Sequence, residues 1–205
     1  MKVPGALTLF HPLIQEWFEK KYQTPTDIQE DCWREIAAGS HTLMTAPTGS
    51  VKTLAAFLWS LNQLITGEWP AGTVRVLYIS PLKAPLEELK DFFEERGAAF
   101  PEIRVATRSG DSSSSDRQKM MRRPPEILIT TPESLNILLT SGGAEKILTG
   151  LSAVILDEIH AVAADKRGVH LTSAVERLTL ISGEFQRIGL FATVHPLPLV
   201  ASLLG

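Results

Sequence analysis

Two short segments carry the side chains that can do phosphate chemistry. The first is Ala46-Pro47-Thr48-Gly49-Ser50-Val51-Lys52-Thr53, set between an apolar run and a helix-like apolar stretch. A turn of this kind at the start of a helix suits a phosphate cradle, because backbone N–H groups and the positive helix end face the anion. Thr48, Gly49, Ser50 and Val51 then line the cradle, Lys52 reaches the β- and γ-phosphates, and the Thr53 hydroxyl ligates magnesium. Glycine belongs at the position of Val51, where the backbone must come close to the phosphates. Valine brings a stiff, branched Cβ, with strain of about 1–3 kcal/mol. A plain strand–turn–helix of the same composition is the competing reading of this segment.

The second segment, Ala153-Val154-Ile155-Leu156-Asp157-Glu158-Ile159-His160, is an apolar strand ending in adjacent carboxylates. Phosphoryl transfer needs positioning and charge stabilisation, so Asp157 suits holding the metal and Glu158 suits orienting the attacking water. A solvated Asp-Glu pair at a strand end is the alternative. His160 reads as a cap or loop residue, since no second His or Cys stands at ligand spacing. The two segments gain weight together if one sheet edge carries both.

The elements around them predict that edge. Apolar runs at His41–Ala46, Val74–Ser80, Ile103–Thr107, Glu126–Thr130, Ala153–Asp157 and Arg187–Ala192 lack strict alternation, as strands buried on both faces do. Helical patterns at Lys52–Thr66, Leu86–Arg96, Ser114–Met121, Glu133–Thr140 and Val169–Ile181 separate them. Alternating strands and helices imply βαβ units and a mostly parallel sheet covered by helices on both faces. Right-handed crossovers gather the strand C-terminal ends on one rim, where such sheets bind ligands. Two helices precede the sheet, from about Pro12 to Lys20 and from near Thr26 to the Gly39-Ser40 stop.

Bulk properties set the frame. The 205 residues fit one large domain, with 44% hydrophobic and 21% charged residues. A net charge of −3 gives no global positive field, so nucleic acid would need a local patch. The single cysteine, Cys32, excludes an internal disulfide and, beside Trp33, reads as a buried thiol. No apolar run approaches a membrane span, and Pro4, Gly5 and Pro12 break any signal-like core, so a cytoplasmic, membrane-free protein is expected. Ser112–Ser115 reads as a polar loop or helix entry.

In this order the motifs resemble those of superfamily 2 helicases, most closely the large helicase-related (Lhr) family of the DEAD/DEAH-like group, from about Phe10 to Gly205. Pro25-Thr26-Asp27-Ile28-Gln29 resembles the adenine-reading Q motif, with Gln29 in that role and Phe10 stacking on the base. Ala46–Thr53 resembles motif I, Pro81-Leu82-Lys83-Ala84 motif Ia, and Asp157-Glu158-Ile159-His160 motif II. Arg108-Ser109-Gly110-Asp111 and Thr130-Thr131-Pro132-Glu133-Ser134 resemble loops that hold a nucleic-acid backbone. Phe191-Ala192-Thr193-Val194 stands at motif III, and Lys166-Arg167-Gly168-Val169-His170 also fits the family.

The resemblance implies a RecA-like P-loop domain at 41–205, preceded by a helical Q-motif-like segment at 1–40. It implies ATP and Mg2+ as cofactors, with Lys52, Asp157 and Glu158 catalytic and Thr53 and Asp157 on the metal. Pro81, Lys83, Arg108, Gly110, Thr131, Pro132 and Glu133 would meet a DNA or RNA backbone independently of sequence, while His160 and Thr193 couple hydrolysis to that contact. Arg122 and Arg123 fit either a phosphate contact or a solvated helix end before Pro124-Pro125. A second RecA-like domain with arginine fingers is expected and is missing from the 205 residues. Val51, Phe191 in place of a hydroxyl residue, and Pro85 after motif Ia depart from the pattern; the last is minor at a first helical turn. The expected function is an ATP- and nucleic-acid-binding N-terminal motor domain of a helicase, impaired in hydrolysis. The alternatives are a catalytically degenerate binding module or an inactive fragment.

Overall fold

The computed structural model describes residues 5–45, 50–79, 91, 93–95, 98–157 and 166–191; for Ser50, Val51 and residues 166–170 the description stops at the backbone. Six strands form one sheet: β1 (Thr42–Thr45), β2 (Val76–Ile79), β3 (Val105–Arg108), β4 (Ile127–Thr130), β5 (Ala153–Asp157) and β6 (Gln186–Phe191). Their spatial order is β1-β6-β5-β2-β4-β3. Every pair is parallel, with Thr45 beside Phe191 and Asp157 beside Leu190. The C-terminal residues of β1, β6 and β5 therefore share one rim.

The strands are buried on both faces, and side-chain alternation divides the core in two. Tyr78, Ile155, Ile188 and Leu190 point into one apolar layer with Phe18, Trp33, Phe57 and Leu61. Leu77, Leu128, Val154, Leu156 and Phe191 point into the other, with Leu135, Leu138, Leu171 and Leu178. Period-two alternation between two apolar layers explains why each strand reads as continuous apolar sequence. Each fully buried Leu, Ile or Phe contributes about 1.5–3 kcal/mol.

A single 3-10 turn (Ala6–Leu9) and α1 (Pro12–Tyr22), α2 (Asp27–Ala37) and α3 (Ser50–Ile65) cover the first face. On the second lie α4 (Ser114–Arg122), α5 (Pro132–Thr140), α6 (Ala144–Leu148) and α7 (Lys166–Ser182). The starts follow local chemistry. Pro12 and Pro132 occupy first turns, where their missing N–H costs nothing. Ser113 and Thr131 accept from backbone N–H groups of α4 and α5. Gly39, at φ +82°, ends α2 in the left-handed region that glycine tolerates best. Ile14 and Trp33 share an apolar cluster with Ile155 and Ile188, so the segment before residue 40 packs on the sheet.

Strand and helix positions agree with expectation to within about two residues, apart from the first three residues of α7 and the additional short Ala6–Leu9 and Ala144–Leu148 elements. Of the Leu86–Arg96 helix, Asp91 and residues 93–95 are described and helical. Cys32 is buried, and no helix among the described residues is long and apolar enough to cross a membrane.

Away from the rim, the buried Glu126 side chain pairs with Arg104 and accepts from the N–H of Gly72 (3.0 Å) and of Arg104 (2.8 Å). Burial alone would raise the Glu126 pKa, but the hydrogen bonds and charge of Arg104 and the Gly72 amide outweigh it and hold the carboxyl below its usual range.

Candidate functional site

The described half of the site is built from α3, β2, β5 and β6. The Thr53 hydroxyl, on the first turn of α3, donates to Asp157 Oδ2 at the end of β5 (3.2 Å). The Tyr78 hydroxyl, from the middle of β2, donates to the same oxygen at 2.5 Å. Asp157 is 6% exposed and Tyr78 fully buried, so this carboxylate sits at the floor of the rim. Such a charge needs charge-assisted hydrogen bonds to survive burial. Lys52, only 2% exposed, donates from Nζ to the carbonyl of Phe191 at 2.8 Å. The helix start after the first strand thus meets the ends of the fifth and sixth strands, and the acidic and basic segments converge as their shared rim required.

Tyr78 was not among the residues singled out from sequence. In an apolar run it reads as one more core aromatic, and its ring does pack against Phe57 at 4.6 Å between centroids. Only the juxtaposition of β2 and β5 brings its hydroxyl to Asp157.

Phe10 requires a correction. Its ring is 3% exposed and packs edge-on against Trp33 (4.8 Å) and Trp59 (5.6 Å), so it is a core residue with no open face for a base. Gln29 is also buried, and its Oε1 accepts from the Thr26 N–H (3.0 Å), closing a reciprocal cap with the Thr26 hydroxyl at the start of α2.

The residues expected to meet a nucleic-acid backbone are distributed differently. Gly110 is exposed, and Thr131 and Pro132 are half-buried at the start of α5. The Thr131 hydroxyl is engaged as the cap of α5, accepting from the Ser134 N–H (3.3 Å). Pro132 has no N–H to offer, which corrects the expectation of an amide there. Glu133 is exposed in the first turn, where a carboxylate favours the helix but repels phosphate. Arg108 is 7% exposed and lies in a groove between α4 and the loop after α5. Burial, and then the charge of Arg117, hold its pKa below the ordinary arginine value. Thr48, Gly49, Pro81, Lys83, Glu158, His160 and Thr193 lie outside the described residues, as do the side chains of Ser50 and Val51.

Comparison with known proteins agrees with this geometry. A family model described as DEAD/DEAH box helicase matches residues 26–199. The chain is 46% identical over 220 residues to the Lhr helicase/probable uracil glycosylase of Mycolicibacterium smegmatis, covering 100% of this chain and 14% of that one. It is 46% identical over 205 residues to the ATP-dependent helicase Lhr-Core of Methanocaldococcus jannaschii, covering 93% of this chain and 24% of the relative. Among solved structures, the Mycobacterium smegmatis helicase Lhr bound to ssDNA and AMP-PNP superposes with a TM-score of 0.88 at 46% identity, over 98% of this chain and 27% of that one. The chain therefore spans between about a seventh and a quarter of the length of these relatives.

Proposed function

Because this chain belongs to the DEAD/DEAH box helicase family, we propose that it is the ATP-binding first motor domain of an Lhr-type helicase. The observation that carries the proposal is the meeting of Thr53 and Asp157 at 3.2 Å beside buried Lys52. A hydroxyl and a carboxylate oxygen are the hard donors that Mg2+ prefers, so these residues fit a metal–triphosphate group. When bound, the metal would neutralise charge on the β- and γ-phosphates.

The chain's own residues supply the rest. Tyr78 holds Asp157 in one orientation, with its other oxygen left to the rim. Lys52, tied to the Phe191 carbonyl, exchanges that neutral acceptor for phosphate oxygens. The exchange joins phosphate occupancy to the position of β6, whose end leads into Thr193. Glu158, Thr48, Gly49 and Ser50 complete the set by their place in the motifs, with Glu158 orienting water and the loop amides facing phosphate. Gln29 reads adenine only through the part of its amide not used in the α2 cap. The Lhr structure with ssDNA and AMP-PNP supports both ligands for this chain. Exposed Gly110, the Thr131–Glu133 turn, Pro81 and Lys83 would form the sequence-independent backbone contact.

Val51 favours a second reading, a nucleic-acid-binding module that holds nucleotide poorly. Calorimetric titration of Mg·ATP separates the two. Weak binding that strengthens on Val51→Gly and falls on Asp157→Asn supports a nucleotide pocket impaired by Val51. Equal affinity for native and Asp157→Asn chains would overturn the pocket, and equal affinity for native and Val51→Gly chains would overturn the account of Val51.

A further inference from the structure

The second face of the sheet carries a charged feature that neither the triphosphate pocket nor the strand-end rim uses. Between α4 and the loop after α5 lies a groove of about 370 Å³ into which Arg108, Arg117 and Arg122 converge, with Gln118, Ser141 and Gly143. No carboxylate is among its lining residues. Arg108 is 7% exposed, and among the described residues its guanidinium makes no hydrogen bond or ion pair. The Arg117 Nε is buried without a partner, while its Nη2 donates to the Gly110 carbonyl at 3.3 Å. Burying a charge without a counter-charge is costly, and drawing three like charges together adds to that cost. A surface evolved only for solubility would not place three arginines around one concavity while leaving two of them short of acceptors.

We propose that this groove is a phosphate-group site, separate from the pocket around Lys52. Guanidinium groups donate in forks that match phosphate oxygens, so two or three can surround one tetrahedral anion. Charge selects the ligand further. A phosphomonoester or free phosphate carries about −1.5 to −2 near neutral pH, against a single charge for a carboxylate or an internal phosphodiester. Three cations and no anion in the lining therefore suit a terminal phosphate on a nucleic-acid strand or a free phosphate species. Alternation in β3 puts Arg108 on the side of Ala106, which packs with the second apolar layer, whereas the ring of Tyr78 packs in the first. Occupancy of the groove thus does not depend on the nucleotide reading of the other site.

The test uses the 205-residue chain with inorganic phosphate and pyrophosphate as probes, followed by calorimetry and thermal melting. Arg117→Gln and Arg122→Gln are suitable variants, since Arg122 is exposed and Arg117 half-buried; far-ultraviolet circular dichroism checks their fold. Losing one charge-assisted contact predicts a fall in affinity of about 10- to 100-fold. Affinity equal in the native chain and both folded variants, or no binding of either probe, would overturn the site. A second arm compares single strands bearing a 5′-phosphate, a 3′-phosphate or only hydroxyl ends. Preference for one phosphorylated end, lost in Arg117→Gln, assigns the site to strand termini. Equal binding of all three strands, with Arg117-dependent binding of the free anions, assigns it to free phosphate.

Discussion

Replacing Tyr78 by phenylalanine removes one hydroxyl from a buried carboxylate and little else. The ring, fully buried and 4.6 Å from Phe57, keeps its packing. What is lost is the 2.5 Å hydrogen bond to Asp157 Oδ2. A hydrogen bond to a charged group contributes about 1.5–3 kcal/mol, and Asp157, being 6% exposed, has little water to replace it. For a chain of this length each kcal/mol moves Tm by about 2–4 °C, so Tyr78→Phe is expected to melt about 3–12 °C lower at neutral pH. Thr53→Val removes the longer bond to the same oxygen and is expected to cost about 1 kcal/mol. Since both donors share Oδ2, the double variant should deviate from additivity by about 0.5 kcal/mol or more. Thermal and urea denaturation of the four chains make the measurement. A Tyr78→Phe chain that melts within about 1 °C of the native one would refute the argument that this hydroxyl stabilises the buried charge.

Other outcomes follow from the same contacts. Phe10→Leu should lower stability by about 1–2 kcal/mol through lost packing on Trp33 and Trp59, yet leave Mg·ATP affinity within about twofold; a selective loss of affinity would restore the stacking role. Cys32, whose thiol is raised to about 11 by burial and then by Asp31 and Glu35, should react slowly with disulfide reagents at pH 8 until urea unfolds the chain. Because the folded value exceeds the unfolded one, its stabilising contribution is complete below the unfolded pKa and is lost as pH rises through about 11. Glu126 has the opposite sign: its lowered pKa stabilises the fold above the usual carboxylate range, and that contribution disappears as pH falls through the depressed value. Glu126→Gln should therefore cost about 2–3 kcal/mol at neutral pH and flatten the acid limb of the stability curve. If nucleic acid meets the rim through its backbone, affinity should fall steeply with salt, read by fluorescence anisotropy.

Much of this could be read before the structure. The apolar runs found the strands because burial on both faces removes polar alternation, and Pro12, Thr26, Ser113 and Pro132 marked helix starts through local backbone chemistry. Lys52, Thr53 and Asp157 were legible because phosphate chemistry restricts residue type and spacing within short segments. The side-by-side placement of β2 and β5, which gives Tyr78 its partner, has no local signature. Phe10 was misplaced because an aromatic near a nucleotide motif has the same sequence appearance whether it faces a base or two tryptophans. The arginine groove was hidden for a related reason. Arg108, Arg117 and Arg122 are spread over a strand and a helix, and one residue offset would send a side chain to the opposite face.

The sheet order has a consequence for how the molecule is made. Within the described sheet, β1 has a single neighbour, β6, so the earliest strand to leave the ribosome has to await the latest. The bridge from the Arg187 N–H to His41 spans 146 positions, and closure of so long a loop is slow. During that interval Lys52 lacks the Phe191 carbonyl and the edge of β1 stands open to any passing strand. Chains cut short of Gln186 should thus accumulate as sticky, unfinished species, and chaperone demand should drop sharply once the sixth strand emerges.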